Sequence, residues 1–131
     1  MALTQLCLLP LCFHQKAVHL IYIFIDTMKE ISVQELKEKM DSGADFQLID
    51  VREDFEYETS NLGGTLIPLG GILIETDKIA KDKEVVVMCR SGKRSAMAIM
   101  QLEQQGFTNL YNLYGGILAW AEEIDPTIQV Y

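Results

Sequence analysis

Basic residues are scarce in this 131-residue chain: 11 Lys and Arg stand against 19 Asp and Glu, for a net charge of −8. That imbalance excludes nucleic acid as a general partner, because a phosphate backbone needs Lys and Arg clustered over a broad face. Cysteine is also rare. Two of the three cysteines, Cys7 and Cys12, sit in an N-terminal segment unlike the rest, so no disulfide framework can be read, and the usage fits a reducing, cytoplasmic compartment. The two histidines, His14 and His19, lie in that same segment, but the spacing of the four residues matches no paired-ligand metal pattern. No metal is expected.

Long hydrophobic runs are missing as well. Leu6–Phe13 and Ala17–Ile25 are apolar, but His14-Gln15-Lys16 divides them and the second run has only nine residues, too short for a membrane span. Neither a basic leader nor a small-residue cleavage site precedes or follows them. We therefore expect residues 1–27 to be an apolar upstream extension or misassigned start outside the working protein, with a poorly formed signal or anchor as the alternative, no membrane partner, and a single domain over residues 28–131. Repeats and low-complexity tracts are absent, and 49% hydrophobic content is enough to bury a core.

What the chain does have is an alternation of strand and helix patterns. Ser32-Val33-Gln34-Glu35 reads as a capping box, followed by Val33, Leu36 and Met40 at helical spacing and Gly43 as a stop. Phe46–Val51 reads as a strand ending near Asp50, and residues 54–58 as a short acidic helix whose carboxylates form a solvated face or steer a basic partner. Leu66–Leu69 reads as a strand, Ile72–Ile74 as a short helix, and Val85–Met88 as a strand buried on both faces. Beyond it the pattern predicts a helix with Ala96, Ile99 and Met100 inward and Gly106 as its stop, a strand over Asn109–Leu113, and a helix over Ile117–Ile124 ended by Asp125-Pro126. Trp120 is expected to plug the core. The order implies an α/β fold with a mostly parallel sheet of about five strands and helices on both faces.

Chemistry concentrates where the central strand ends, at Cys89-Arg90-Ser91-Gly92-Lys93-Arg94-Ser95. A free thiol is only about 3% ionised at neutral pH, whereas helix N-termini and nearby cations raise that fraction. Arg90, Lys93 and Arg94 supply the cations, and Gly92 permits a turn that aims N–H groups inward as an anion nest. Ser91 and Ser95 add hydroxyl donors, and Ser95 is also a candidate helix cap. Arg90 and Lys93 would steer an anion and Arg94 would organise the loop. Asp50 ends a neighbouring strand; it either orients the loop cations or serves as a cap or ion pair with Arg52.

This loop resembles the active-site loop of single-domain rhodaneses, sulfurtransferases that carry a sulfane sulfur as a cysteine persulfide. Leu48–Glu53, Leu66–Gly70 and Gly115–Trp120 resemble further blocks of that family in the same order, so the likeness spans about residues 28–124. One departure is Asn61, which stands where many members carry a histidine and cannot titrate near neutral pH. The resemblance implies a rhodanese-like domain that needs no cofactor. It would move sulfur from thiosulfate or another persulfide donor, through Cys89, to cyanide, a thiol or a protein. Its partners would be a small anionic sulfur donor and a protein donor or acceptor; the oligomeric state stays open. Two alternatives remain: a persulfide carrier serving one protein partner, and a cysteine-dependent phosphatase or arsenate reductase. The latter enzymes resemble Cys-x5-Arg, whereas four residues separate Cys89 from Arg94.

Overall fold

The computed structural model describes residues 28–130. Cys7, Cys12, His14 and His19 lie outside the described residues, as does the whole segment expected to be an extension. Among the described residues, five strands form one sheet: β1 (Glu30–Ile31), β2 (Phe46–Asp50), β3 (Thr65–Leu66), β4 (Glu84–Met88) and β5 (Leu110–Leu113). Their spatial order is β1-β5-β4-β2-β3, and every pairing is parallel. The helices are α1 (Val33–Asp41), α2 (Asp54–Thr59), α3 (Lys93–Gln104) and α4 (Gly116–Glu123).

Parallel strands require crossovers, and helices or turns supply them. In α1 the anticipated capping box forms: Ser32 Oγ accepts from the Glu35 N–H, and Glu35 Oε2 accepts from the Ser32 N–H. Val33 and Leu36 are buried beneath it, but Met40, expected on the same stripe, is exposed at 39%.

β4 lies at the centre, paired with β2 on one side and β5 on the other. Its side chains alternate between two cores. Val85, Val87 and Cys89 join Ile49, Ala98, Ile99 and Leu102 on the α3 side, whereas Val86 and Met88 join Val33, Leu36, Ile117 and Trp120 on the α1 and α4 side. Both faces are thus covered, which accounts for the unbroken run of valines. Trp120 is buried in the second core, filling the role the pattern assigned to it.

Several boundaries differ from expectation. The inward stripe of α3 is Ser95, Ala98, Ile99 and Leu102; Ala96 lies at its margin and Met100 is exposed. A buried polar Ser95 breaks the apolar pattern, and an exposed methionine costs too little to reveal itself. Only Thr65–Leu66 pair as a strand in the third block, and the segment after them is a 3-10 turn over Leu69–Gly71 instead of a helix over Ile72–Ile74. Leu73 and Ile74 are exposed there. β1 was not anticipated from the pattern, since two residues carry no periodicity.

Candidate active site

β4 delivers Cys89 to the carboxyl edge of the sheet, and α3 starts four residues later. The loop between them is shaped by two glycines. Gly92 has φ of +98°, a left-handed conformation open to glycine, and in it the Gly92 N–H points at Cys89 Sγ from 3.0 Å. Gly116 begins α4 pressed against the same loop: a Cβ there would lie 2.4 Å from the carbonyl oxygens of both Cys89 and Arg90. The close approach lets α4 cap those carbonyls, with Ile117 N–H donating to Cys89 O at 3.0 Å and Leu118 N–H to Arg90 O at 3.1 Å. The loop's carbonyls are therefore drawn away from the sulfur while an amide faces it.

Cys89 itself is fully buried. Ser91 and Lys93 are the loop residues exposed to solvent, while Arg90, Gly92 and Arg94 are partly covered and Ser95 is buried. Ser95 does not cap the helix; Gly92 takes the cap position and Ser95 lies inside the first turn. There its Oγ sits 3.4 Å from Cys89 Sγ and donates to Asn112 Oδ1 at 2.5 Å. Asn112, buried in β5, also donates from Nδ2 to the Gly92 carbonyl at 3.1 Å. Nothing in the pattern marked it, because an asparagine in a short strand reads as a surface residue.

Arg94 spans from α3 to α2. Its Nη1 and Nη2 donate to Glu56 Oε2 and Oε1 at 2.6 and 2.8 Å, and Glu56 Oε2 also accepts from the Glu53 N–H at 2.8 Å. The Arg94 hydrogen bonds hold the Glu56 carboxyl below its ordinary value, against the opposing effect of burial. Reciprocally, Glu56 raises Arg94, and the charge of Cys89 adds to that effect. Glu56 is thus a buried partner of the loop and not part of a solvated acidic face. Its signal in the sequence was faint: a glutamate three residues after Glu53, at capping-box spacing.

Asp50 is buried at the end of β2. It pairs in register with Met88, and strand alternation turns it toward the Leu48 side of the sheet, away from Cys89. There Arg52 takes both carboxylate oxygens, Nε at 3.0 and 3.1 Å and Nη2 at 2.7 Å, in an ion pair with both side chains 1% exposed. Of the open alternatives for Asp50, the structure holds the ion pair. Arg52 uses its remaining donors on the carbonyls of Glu56 and Ser60, at 3.3 and 2.8 Å. The pair therefore fixes the end of α2, and α2 in turn holds Arg94. Asn61 is exposed and closes a local turn, accepting from the Gly63 N–H at 2.9 Å.

No group of acidic, cysteine or histidine side chains among the described residues could hold a metal ion. No helix among them is long and apolar enough to cross a membrane.

A rhodanese-like domain family model matches residues 32–123. The putative sulfurtransferase YtwF of Bacillus subtilis is 41% identical over 100 residues, a match covering 76% of this chain and 96% of that protein. The putative sulfur carrier protein YrkF of the same organism is 35% identical over 95 residues; the match covers 72% of this chain but only about half, 51%, of YrkF. Among solved structures, a rhodanese-like domain protein from Staphylococcus aureus superposes with a TM-score of 0.68 at 30% identity, covering 79% of this chain and 99% of that one.

Proposed function

The chain belongs to the rhodanese-like domain family, and from that membership we propose that it transfers sulfane sulfur through a persulfide on Cys89. We assign the activity to residues 28–131, with Cys89 as nucleophile and no cofactor. The observation that carries the reading is the Gly92 N–H aimed at Sγ from 3.0 Å at the start of α3, an arrangement made to hold negative charge on sulfur.

In the loading step the Cys89 thiolate attacks the outer sulfur of thiosulfate or of another persulfide. The donor's S–S bond breaks, and with thiosulfate the leaving group is sulfite, which carries away the bonding pair. Cys89–S–S⁻ remains, its charge on the outer sulfur. In the unloading step cyanide, a thiol or a protein thiolate attacks that outer sulfur, and Cys89 leaves as thiolate. Atoms and charge balance in each half, and no redox partner is needed. An incoming anion first meets Lys93, exposed at the mouth of the loop, with the positive end of α3 behind it. Ser91, Gly92 and the rest of the loop through Ser95 shape the cradle.

Sulfur fits this cradle better than phosphorus. A phosphoryl group needs an arginine free to take its equatorial oxygens, and Arg94 spends both terminal nitrogens on Glu56. A reducing, cytoplasmic setting suits a thiol that must stay uncoupled.

Intact mass spectrometry after thiosulfate treatment tests the reading: one added sulfur atom, mapped to Cys89, is expected, together with thiocyanate when cyanide is supplied. Phosphate release from an aryl phosphate without sulfur loading would overturn it. A carrier role for one protein partner is supported by the likeness to YrkF. Loading without turnover to cyanide, but with rapid discharge to a protein acceptor, would favour that second reading.

A further inference from the structure

Asn112 touches the Cys89 loop with both ends of its amide, giving Nδ2 to the Gly92 carbonyl and taking the Ser95 hydroxyl on Oδ1. A carbonyl can only accept, so Gly92 fixes which way the amide faces. Oδ1 must then point at Ser95, and a hydroxyl has one hydrogen to give. That hydrogen is on Asn112. Ser95 Oγ, 3.4 Å from Cys89 Sγ, consequently turns lone pairs toward the sulfur. A protonated thiol can donate to such an oxygen; a thiolate finds no hydrogen there.

We infer that Asn112 is a positioning residue acting through Ser95: by holding the serine's hydrogen it withholds a hydrogen bond from the Cys89 thiolate and keeps that sulfur strongly nucleophilic. On this inference Ser95 accepts from the thiol, where the sequence suggests a donor. Rotating the hydroxyl back to sulfur would leave Oδ1 buried without a partner, whereas the sulfur already has the Gly92 N–H aimed at it. Nucleophilicity of a thiolate rises with its basicity, so the withheld bond favours attack on the donor. The inference rests on reading Cys89 as the working thiol, but not on which sulfur compound it attacks.

The charged groups on the elements around this thiol, among the described residues, are Arg90 and Lys93 in the loop and Arg94 with Glu56 from α2; the Asp50–Arg52 pair at the end of β2 turns to the other face of the sheet. β5 contributes the neutral Asn112, and the start of α4 contributes Gly116, Ile117 and Leu118, also neutral. The charged set is the same in every variant below, so it does not confound the comparison.

The test is the pH profile of iodoacetamide alkylation, resolved by peptide so that Cys7 and Cys12 are read apart from Cys89, on the full chain and three variants. Ser95→Ala is expected to move the Cys89 profile to lower pH, since it removes an oxygen that accepts only from the thiol. Asn112→Leu frees the serine hydrogen and should also lower the profile, with alkylation on the rising limb roughly two- to tenfold faster. In the Ser95→Ala background, Asn112→Leu should add nothing. A Ser95→Ala profile that stays in place or moves to higher pH overturns the inference, as does an Asn112→Leu shift of equal size in both backgrounds. Should Asn112→Leu fail to fold, the sign of the Ser95→Ala shift alone decides. Because alkylation needs no sulfur donor, a negative result here leaves the sulfur-transfer reading separately testable.

Discussion

Arg94 and Glu56 meet in a two-pronged ion pair, at 2.6 and 2.8 Å, that ties the first turn of the helix behind the thiol to the short helix after β2. The carboxylate is buried while the guanidinium is a third exposed, so the pair is a hinge pin between loop and body and not a surface contact. Its geometry matters more than its energy, because partial exposure of Arg94 screens the attraction.

Replacing Glu56 with Gln should lower stability by about 1–2 kcal/mol, since Arg94 loses its charge-assisted bonds but keeps access to water. Sulfur loading of Cys89 should slow in the same variant, as the loop loses its anchor. Thermal melting and the rate of mass gain with thiosulfate read the two effects. A variant as stable and as fast as the parent would show that the pair is ornamental.

The same carboxylate gives stability a pH dependence of known sign. Arg94 holds Glu56 below its ordinary value of 4.5, so the folded chain binds this proton more weakly than the unfolded chain does. The contribution is therefore complete above about pH 4.5 and is lost as the pH falls through the depressed folded value. Melting temperatures measured from neutral pH down through this range should fall in the parent and fall less steeply in Glu56→Gln. Parallel curves would remove Glu56 as the cause.

Cys89→Ser should abolish persulfide formation while leaving the melting temperature nearly unchanged. The serine oxygen is smaller than sulfur and keeps the side chain's shape, but it stays protonated and does not attack. Retained sulfur transfer in this variant would disqualify the nucleophile.

Lys93 is exposed at the mouth of the loop, and Lys93→Glu should raise the Michaelis constant for thiosulfate about fivefold or more at low salt, by replacing attraction with repulsion. The turnover number should change less. An unaltered Michaelis constant would mean that Lys93 is a bystander.

Gly116→Ala should be the most damaging of these changes to the loop. Its Cβ would collide with the backbone oxygens of Cys89 and Arg90 at 2.4 Å, and its φ of +59° suits few side chains. A loss of about 2–4 kcal/mol, or a loop pushed away from α4 with loading abolished, is expected. Wild-type melting and loading would contradict this close contact.

The parts of the molecule legible in the sequence were those that repeat or cap. The valines before Cys89 announced a strand buried on both faces, and Ser32 with Glu35 announced the start of α1, because these depend on neighbours in the chain. Glu56 and Asn112 were not legible. Each is polar and would ordinarily face water, and each is buried only because a partner from another element meets it: Arg94 for Glu56, Ser95 and Gly92 for Asn112. For Asp50 the ion pair with Arg52 was one of the readings the sequence left open, and its place at the sheet edge was readable; the face it turns toward follows from its register with Met88.

Val85, Val87 and Cys89 occupy one core and Val86 and Met88 the other, so the odd positions of the middle strand look one way and the even positions look the opposite way. The thiol finds Gly92 and Ser95 because 89 is odd in this count. Insertion or deletion of a single residue within Glu84–Met88 would swap the count and turn the sulfur toward the core of Ile117 and Trp120, away from the Gly92 N–H and Ser95. Lengthening or shortening that strand in steps of two keeps the sulfur on the same face.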